Sequence, residues 1–295
     1  MTGLGKHLLT CASLAVAVLP VWLAVTLLPE QGGLRIKNTS VDTVAETIDI
    51  FKEMGFDPQK DIIGNDPKLP PVFLTDLPDD LKAVPDPGIR KAVFISIVLP
   101  HVLFANEQIR ADRRRLQRLH RSITKERTLR TRDRRWLEQM AKNYRTRPMD
   151  TGELLRRVDI VPPRLAIAQS VQETGWGTSR FAQAGNALFG QHAPLGAGAI
   201  QASGNANVAL KSFDTLQDSV RDYMRNLNRN RAYRGFRAAR AGMRSSQRPL
   251  DERELVGTLT RYSEEGEVYV ERLRTIMDML EVRAVENADF ADPRR

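Results

Sequence analysis

The stretch that most restricts the fold of this chain runs from Val161 to Gln191, VPPRLAIAQSVQETGWGTSRFAQAGNALFGQ. Pro162 and Pro163 suit the first positions of a helix, where a missing N–H costs nothing. Leu165, Ala166, Ala168, Gln169 and Val171 continue it as a mostly apolar run. Gly175 and Gly177 end it, as glycines past a helix C-terminus do. Glu173 is the only acid on this helix and sits on its last turn. The negative pole of the helix dipole and the apolar surroundings both disfavour a carboxylate there, so its pKa should rise. A carboxylic acid still protonated near neutral pH is what a glycosidase needs as general acid. Trp176 and Phe189 follow closely, and flat rings suit stacking on sugar faces. The competing reading of a lone Glu near a helix end is a solvated surface residue.

The string QETGWGTSRFA followed by GNALFGQ resembles the signature of the glucosaminidase family of cell-wall hydrolases, glycoside hydrolase family 73, in particular its Bax-like branch from Gram-negative bacteria. Glu173, Gly175, Trp176 and Gly177 match the family's ESGWG, with Thr174 in place of Ser. Asn186, Leu188, Phe189 and Gly190 match its NLFG, with Ala187 inserted. Downstream, NLNRNRAYRGFR (Asn226 to Arg237) resembles the family's NLNT-x-x-AY-x-x-R text. RYSEEGEVYVERLRTIM resembles its YSxRGExYV block, whose tyrosine lies in the active site; Tyr262 holds that position, and Glu267 matches the acid of that block. The resemblance covers most of the chain after residue 70, is strongest over 159–277, and includes a block from VFLTDLPDDL through ANEQIRADRRRL.

The resemblance implies a mainly α (α+β), lysozyme-like glucosaminidase domain with a small irregular β-lobe. It implies hydrolysis of β-1,4 bonds after N-acetylglucosamine in peptidoglycan. Glu173 would protonate the leaving oxygen, and Tyr262 would orient substrate or steady positive charge at the sugar. Trp176, Asn186, Phe189, Gly190 and Tyr233 would line the glycan. Asn226 and Asn228 would join Tyr233 in a polar cleft, with structural use in turns as the other reading. Related glucosaminidases can carry a second acid on the β-lobe, yet between Glu173 and Asp214 this chain has no Asp or Glu. Three completions stay open: a carboxylate from Glu264, Glu265 or Glu267; the substrate's own acetamido group; or Glu173 alone. Glu267 also reads as an ordinary acid in the first turn of a helix.

Among the 295 residues, 41% are hydrophobic and 27% charged, as in globular proteins, enough for one or two domains. The net charge of +9 favours polyanionic partners: nucleic acid, anionic lipid or acidic wall polymer. The single Cys11 excludes an internal disulfide framework, and the four histidines are scattered, so neither metal nor cofactor is expected. Leu8 to Leu28 is 21 residues without a charge, long enough to span a bilayer. An uncleaved anchor is the favoured reading; a signal peptide cut after Ala15-Val16-Ala17 is its rival. This places the protein at the bacterial inner membrane with its catalytic part in the periplasm, or free in the periplasm if cleaved. The expected division is 1–30 anchor or signal, 31–147 helical and arginine-rich, 148–285 glucosaminidase-like, and 286–295 a loose tail.

Smaller features complete the reading. Ser40 is expected to cap a helix ending at Gly55, and residues 57–87 read as extended loop. Ile89 to Leu103 is apolar, but Pro100 and His101 interrupt it as a membrane span, and it is expected to run on helically through Asn106 to Arg135. The dense arginines there read as a solvated face. Without interleaved aromatics they do not point to nucleic acid; peptidoglycan strands and, through the N-terminal helix, the membrane are the expected partners. Asp214 with Gln217 and Asp251 with Glu254 read as capping boxes, the second helix ending near Arg261. Tyr269, Leu273, Ile276 and Leu280 read as the buried stripe of the last helix. The rival function is a non-catalytic wall-binding or membrane scaffold protein.

Overall fold

The computed structural model describes residues 37–62, 67–193, 199–202, 205–280, 285 and 288–290; the apolar run from Leu8 to Leu28 and Cys11 lie outside them. In chain order the elements are β1 (Lys37–Thr39), α1 (Val44–Glu53), β2 (Lys68–Leu69), β3 (Val72–Leu74), α2 (Pro87–Thr124), α3 (Thr131–Tyr144), α4 (Thr151–Arg157), α5 (Pro163–Thr174), α6 (Arg180–Gly185), β4 (Ala199–Ala202), β5 (Asn205–Lys211), α7 (Leu216–Arg229), α8 (Arg234–Ser245), α9 (Glu252–Val256), α10 (Glu267–Met279) and β6 (Asp289–Phe290). β4 and β5 pair antiparallel as the small β-lobe. β1 pairs parallel with β3, and β2 with β6. The molecule is therefore mainly α with a small β-lobe.

The core is built on α2. Its 38 residues would extend about 57 Å at about 1.5 Å per residue. Val93, Phe94, Ile97, Val98, Leu99 and Val102 are buried in its first half. Pro100 lies inside this helix without ending it: burial of its neighbours outweighs a proline penalty of about 3 kcal/mol. Helices α4, α5 and α7 pack along α2. Asn106 ties α5 to it, its Nδ2 donating to the Val161 carbonyl at 2.8 Å and its Oδ1 accepting the Val161 N–H at 3.1 Å.

A second tie is ionic. Asp159, just before α5, is buried within reach of Arg244 (3.1 Å), Arg113 (3.6 Å) and Arg240 (3.9 Å). Arg240 is wholly buried and donates to the Asp159 and Ile160 carbonyls (3.0 and 2.7 Å) and to Asn228 Oδ1 (2.7 Å). Burial opposes the Asp159 charge, but hydrogen bonds from Arg244 and the charges of Arg240 and Arg113 hold its carboxyl below the usual range.

Several expectations change here. The arginines of 106–135 are not merely a solvated face. Arg113 serves Asp159, and Arg115 joins Asp133 at 2.8 Å while its guanidinium lies 4.4 Å from the centre of the Trp136 ring. The helix through 106–135 is two, since α2 ends at Thr124 and α3 starts at Thr131. The stretch 57–87 contains β2 and β3, whose buried Leu69 and Val72–Leu74 enter the core. Thr43, not Ser40, caps α1. Thr215, not Asp214, caps α7, because the box falls one residue later: Thr215 takes the Asp218 N–H and donates to its carboxylate at 2.7 Å. Asp251 does cap α9, but that helix stops at Val256. Of the tail, Asp289–Phe290 is a strand, with the Phe290 ring 6.0 Å from Phe73. Among the described residues, buried side chains on both sides of position 147/148 belong to one core.

Candidate active site

Helix α5 begins as its sequence dictates, with Pro162 as N-cap and Pro163 in the first turn. It ends at Gly175, in the left-handed region at φ 58°. Trp176 (φ 62°) and Gly177 (φ 77°) continue in that conformation. Gly177 has a further reason to lack a side chain: a Cβ there would lie 2.8 Å from Phe94 Cδ2 and 2.9 Å from Leu81 Cδ2. Phe94 of α2 and Leu81 of the segment before it thus lie directly beneath the turn that follows Glu173. Thr174 braces that turn, accepting the Gly177 N–H at 2.9 Å.

This turn leaves Glu173 half-buried at the end of α5. Tyr269, from α10, donates its hydroxyl to Glu173 Oε1 at 3.0 Å. On the other side stands Gly190 at φ 59°, where any Cβ would collide with Glu173 Oε2. Burial pushes the Glu173 carboxyl from its ordinary 4.5 up to about 7; the Tyr269 hydrogen bond lowers it and the charge of Glu265 raises it. Near neutral pH the group is therefore poised between acid and base.

Tyrosines form the rest of the wall. Tyr262 stacks on Tyr269 with centroids 5.5 Å apart and planes 8° apart, and Tyr233 lies 5.7 Å from Tyr262. Tyr262 donates its hydroxyl to the Phe189 carbonyl at 2.9 Å, which anchors the strand of chain that carries Gly190. Burial drives the phenols of Tyr223, Tyr262 and Tyr269 well above their ordinary values, so all three stay protonated.

The other sequence candidates divide. Trp176 keeps a partly exposed ring, edge-on to Phe94 at 6.2 Å with Lys91 Nζ 5.2 Å from its centre. Phe189 corrects the stacking expectation: it has no exposed surface, and its ring lies flat on Tyr223 at 3.8 Å, so it is a core ring that offers the site only its carbonyl. Asn186 is buried at the left-handed end of α6 and donates to Asp76 at 2.8 Å and to the Phe213 carbonyl at 3.2 Å, a structural role. Asn228 is likewise committed to the Asp159 carbonyl and Arg240. Glu267 is exposed at the first position of α10. Among Glu264, Glu265 and Glu267, Glu265 is the one whose charge acts on Glu173; Arg272 holds it at 2.7 Å. Sequence reasoning missed Tyr269 and Gln169 as site residues. Their signal was present, since Gln169 and Glu173 lie four residues apart on one face of α5. Among the described residues, no group of three His, Cys, Asp or Glu side chains is placed to hold a metal ion.

Comparison with known proteins fits this geometry. The family model described as mannosyl-glycoprotein endo-beta-N-acetylglucosaminidase, the glucosaminidase family, matches residues 151–281. Protein bax of Escherichia coli (strain K12) is 32% identical over 198 residues, covering 64% of this chain and 69% of that protein. The chain belongs to the Bax-like proteins with a glucosaminidase domain. No solved structure matches it significantly. In this Bax-like protein the matched segment opens at α4 and closes just after α10, so it contains Glu173 and every tyrosine of the site. The domain points to glycosidase chemistry on a glycan.

Proposed function

We propose that this Bax-like protein is a peptidoglycan hydrolase that cleaves β-1,4 bonds after N-acetylglucosamine, with Glu173 as general acid. The observation that carries the reading is the carboxyl of Glu173, raised to about 7 by burial and met by a phenol rather than a cation. Such a group delivers a proton to a glycosidic oxygen as the C–O bond breaks, and recovers one from the water that adds to the anomeric carbon. Tyr262 orders the Phe189–Gly190 segment over Glu173, and the partly exposed Trp176 supplies aromatic surface for the glycan, while Tyr233 is buried behind Tyr262. For the second step, the charge of Glu265 on Glu173 favours that carboxylate over Glu267, with the substrate acetamido group as the alternative. The apolar run from Leu8 to Leu28 supports an anchor in the bacterial inner membrane with this site in the periplasm.

The test is mass spectrometry of products released from purified peptidoglycan by the full-length protein and its Glu173→Gln variant. New reducing N-acetylglucosamine ends from the wild type alone support the reading. No product from either protein, with both folded and bound to the wall, replaces it with a wall-binding scaffold.

A further inference from the structure

Behind Glu173 runs a chain of three buried side chains that the acid itself does not require. Tyr223, on α7, donates its hydroxyl to Gln169 Oε1 at 2.7 Å. Gln169 Nε2 donates to the Tyr269 oxygen at 2.9 Å. Tyr269 then donates to Glu173 Oε1 at 3.0 Å. Tyr223 and Gln169 have no exposed surface, and Tyr269 is 1% exposed.

The direction of this chain follows from counting donors. A phenol has one proton and an amide has a distinct donor end and acceptor end. Were Gln169 reversed, its amide nitrogen would face Tyr223, and the Tyr223 proton would have no acceptor within this dry cluster. With the amide as it stands, the Tyr269 oxygen is occupied by an incoming donor and its own proton can only point outward, to Glu173 Oε1. Oε1 is then an acceptor. A proton on Glu173 must sit on Oε2, the oxygen that occupies the space a side chain at position 190 would need.

On the reading of Glu173 as general acid, we propose that Gln169, oriented by Tyr223, is a positioning residue that fixes the transferable proton on Glu173 Oε2. The relay holds one oxygen of the acid as a permanent acceptor and reserves the other, beneath the glycine, for the glycosidic oxygen. Deletion of the first donor frees the amide to turn; Tyr269 can then give its proton to Gln169, and Glu173 loses the hydrogen bond that favours its charged form.

The groups that face Glu173 and bear on its titration are Glu265, ahead of α10, and the phenols of Tyr223, Tyr233, Tyr262 and Tyr269. The test removes only the distal oxygen. In full-length protein with 13C-labelled glutamate side chains, the Glu173 δ-carbon, assigned by its absence in Glu173→Gln, is titrated in wild type and in Tyr223→Phe. The Tyr223 ring stays stacked on Phe189, and an unchanged thermal melt certifies the fold. The expected result is an upward shift of the Glu173 midpoint by about half to one pH unit, matched by the alkaline limb of kcat/KM on peptidoglycan. Gln169→Met, which removes the amide, should shift it in the same direction. A midpoint that stays in place or falls in both variants overturns the relay. Because the titration needs no turnover, an inactive wild type would sink the hydrolase reading while the relay was still read out.

Discussion

Glu173, half-buried on the last turn of α5, and Asp159, buried just ahead of its first turn, are carboxyl groups that the fold treats in opposite ways. Asp159 stands before the N-terminus of α5 among three arginines and is kept ionised. Glu173 stands at the C-terminus of the same helix among tyrosines and is kept near its protonation midpoint at neutral pH. Burial is common to both; what differs is the neighbour. A guanidinium stabilises the charge it faces, whereas a phenol with a pKa far above neutrality offers a single hydrogen bond and no charge. The chain spends its buried cations on architecture and withholds them from the site.

The comparison is broken most sharply by removing each acid. Glu173→Gln should lower peptidoglycan hydrolysis by about 10²–10⁴-fold while the protein still melts cooperatively. Asp159→Asn should do the reverse. It leaves Arg240 buried without its counter-charge, costs about 3–5 kcal/mol and lowers Tm by roughly 10 °C, with activity per folded molecule preserved. An Asp159→Asn protein of wild-type Tm would mean that the arginines are held by carbonyls alone.

How much of this contrast could be read from the sequence differs by acid. The bounds of α5, the left-handed glycine after it and the raised pKa of Glu173 all follow from local order: two prolines, an apolar run, a late acid, two glycines. The Asp159 cluster does not, because its arginines come from α2 and α8, 46 and 81 or more residues away, and periodicity says nothing of distant partners. Tyr269 reads correctly as a buried stripe position, and that reading hid its hydroxyl. A buried tyrosine looks like a core ring in sequence until its partner is known. Phe189 erred the other way, since an aromatic beside a site residue carries no sign of which side its face is covered on.

The pH dependence of stability sharpens the same contrast. Glu173 has a folded pKa raised above its unfolded value, so its contribution is full below about 4.5 and is lost as pH rises toward 7. At about 1.4 kcal/mol per unit this amounts to roughly 3 kcal/mol. Asp159, with a lowered folded pKa, contributes above the ordinary carboxyl range and loses that contribution as pH falls through its depressed value. Buried His101, with its pKa lowered to about 4, adds an opposite slope over the same window, so the difference from wild type is the readout: in chemical denaturation the stability of Glu173→Gln should rise relative to wild type from pH 4.5 to 7, whereas the deficit of Asp159→Asn should stay constant.

Gly190→Ala should reduce activity by about tenfold and stability by about 1–3 kcal/mol, because a methyl displaces Glu173 and the left-handed backbone resists it. Smallest of all, Glu265→Gln should move the Glu173 midpoint down by a few tenths of a unit, whereas Glu267→Gln, exposed at the start of α10, should leave it in place. Equal shifts would remove the distinction drawn between the two acids.

The apolar half of α2 has a consequence for the newborn chain. By length and apolar composition this helix could pass for a bilayer segment, yet 67% of its most apolar stretch is buried in the protein. Part of its cover, from β3, is made before it, but α5 and α7 are translated more than 35 residues after α2 is complete. During synthesis, then, a partly covered greasy rod waits for the rest of its partners. Slowing α5 or α7 should reveal itself as misrouting of α2 into membranes or aggregates before it shows as a loss of equilibrium stability.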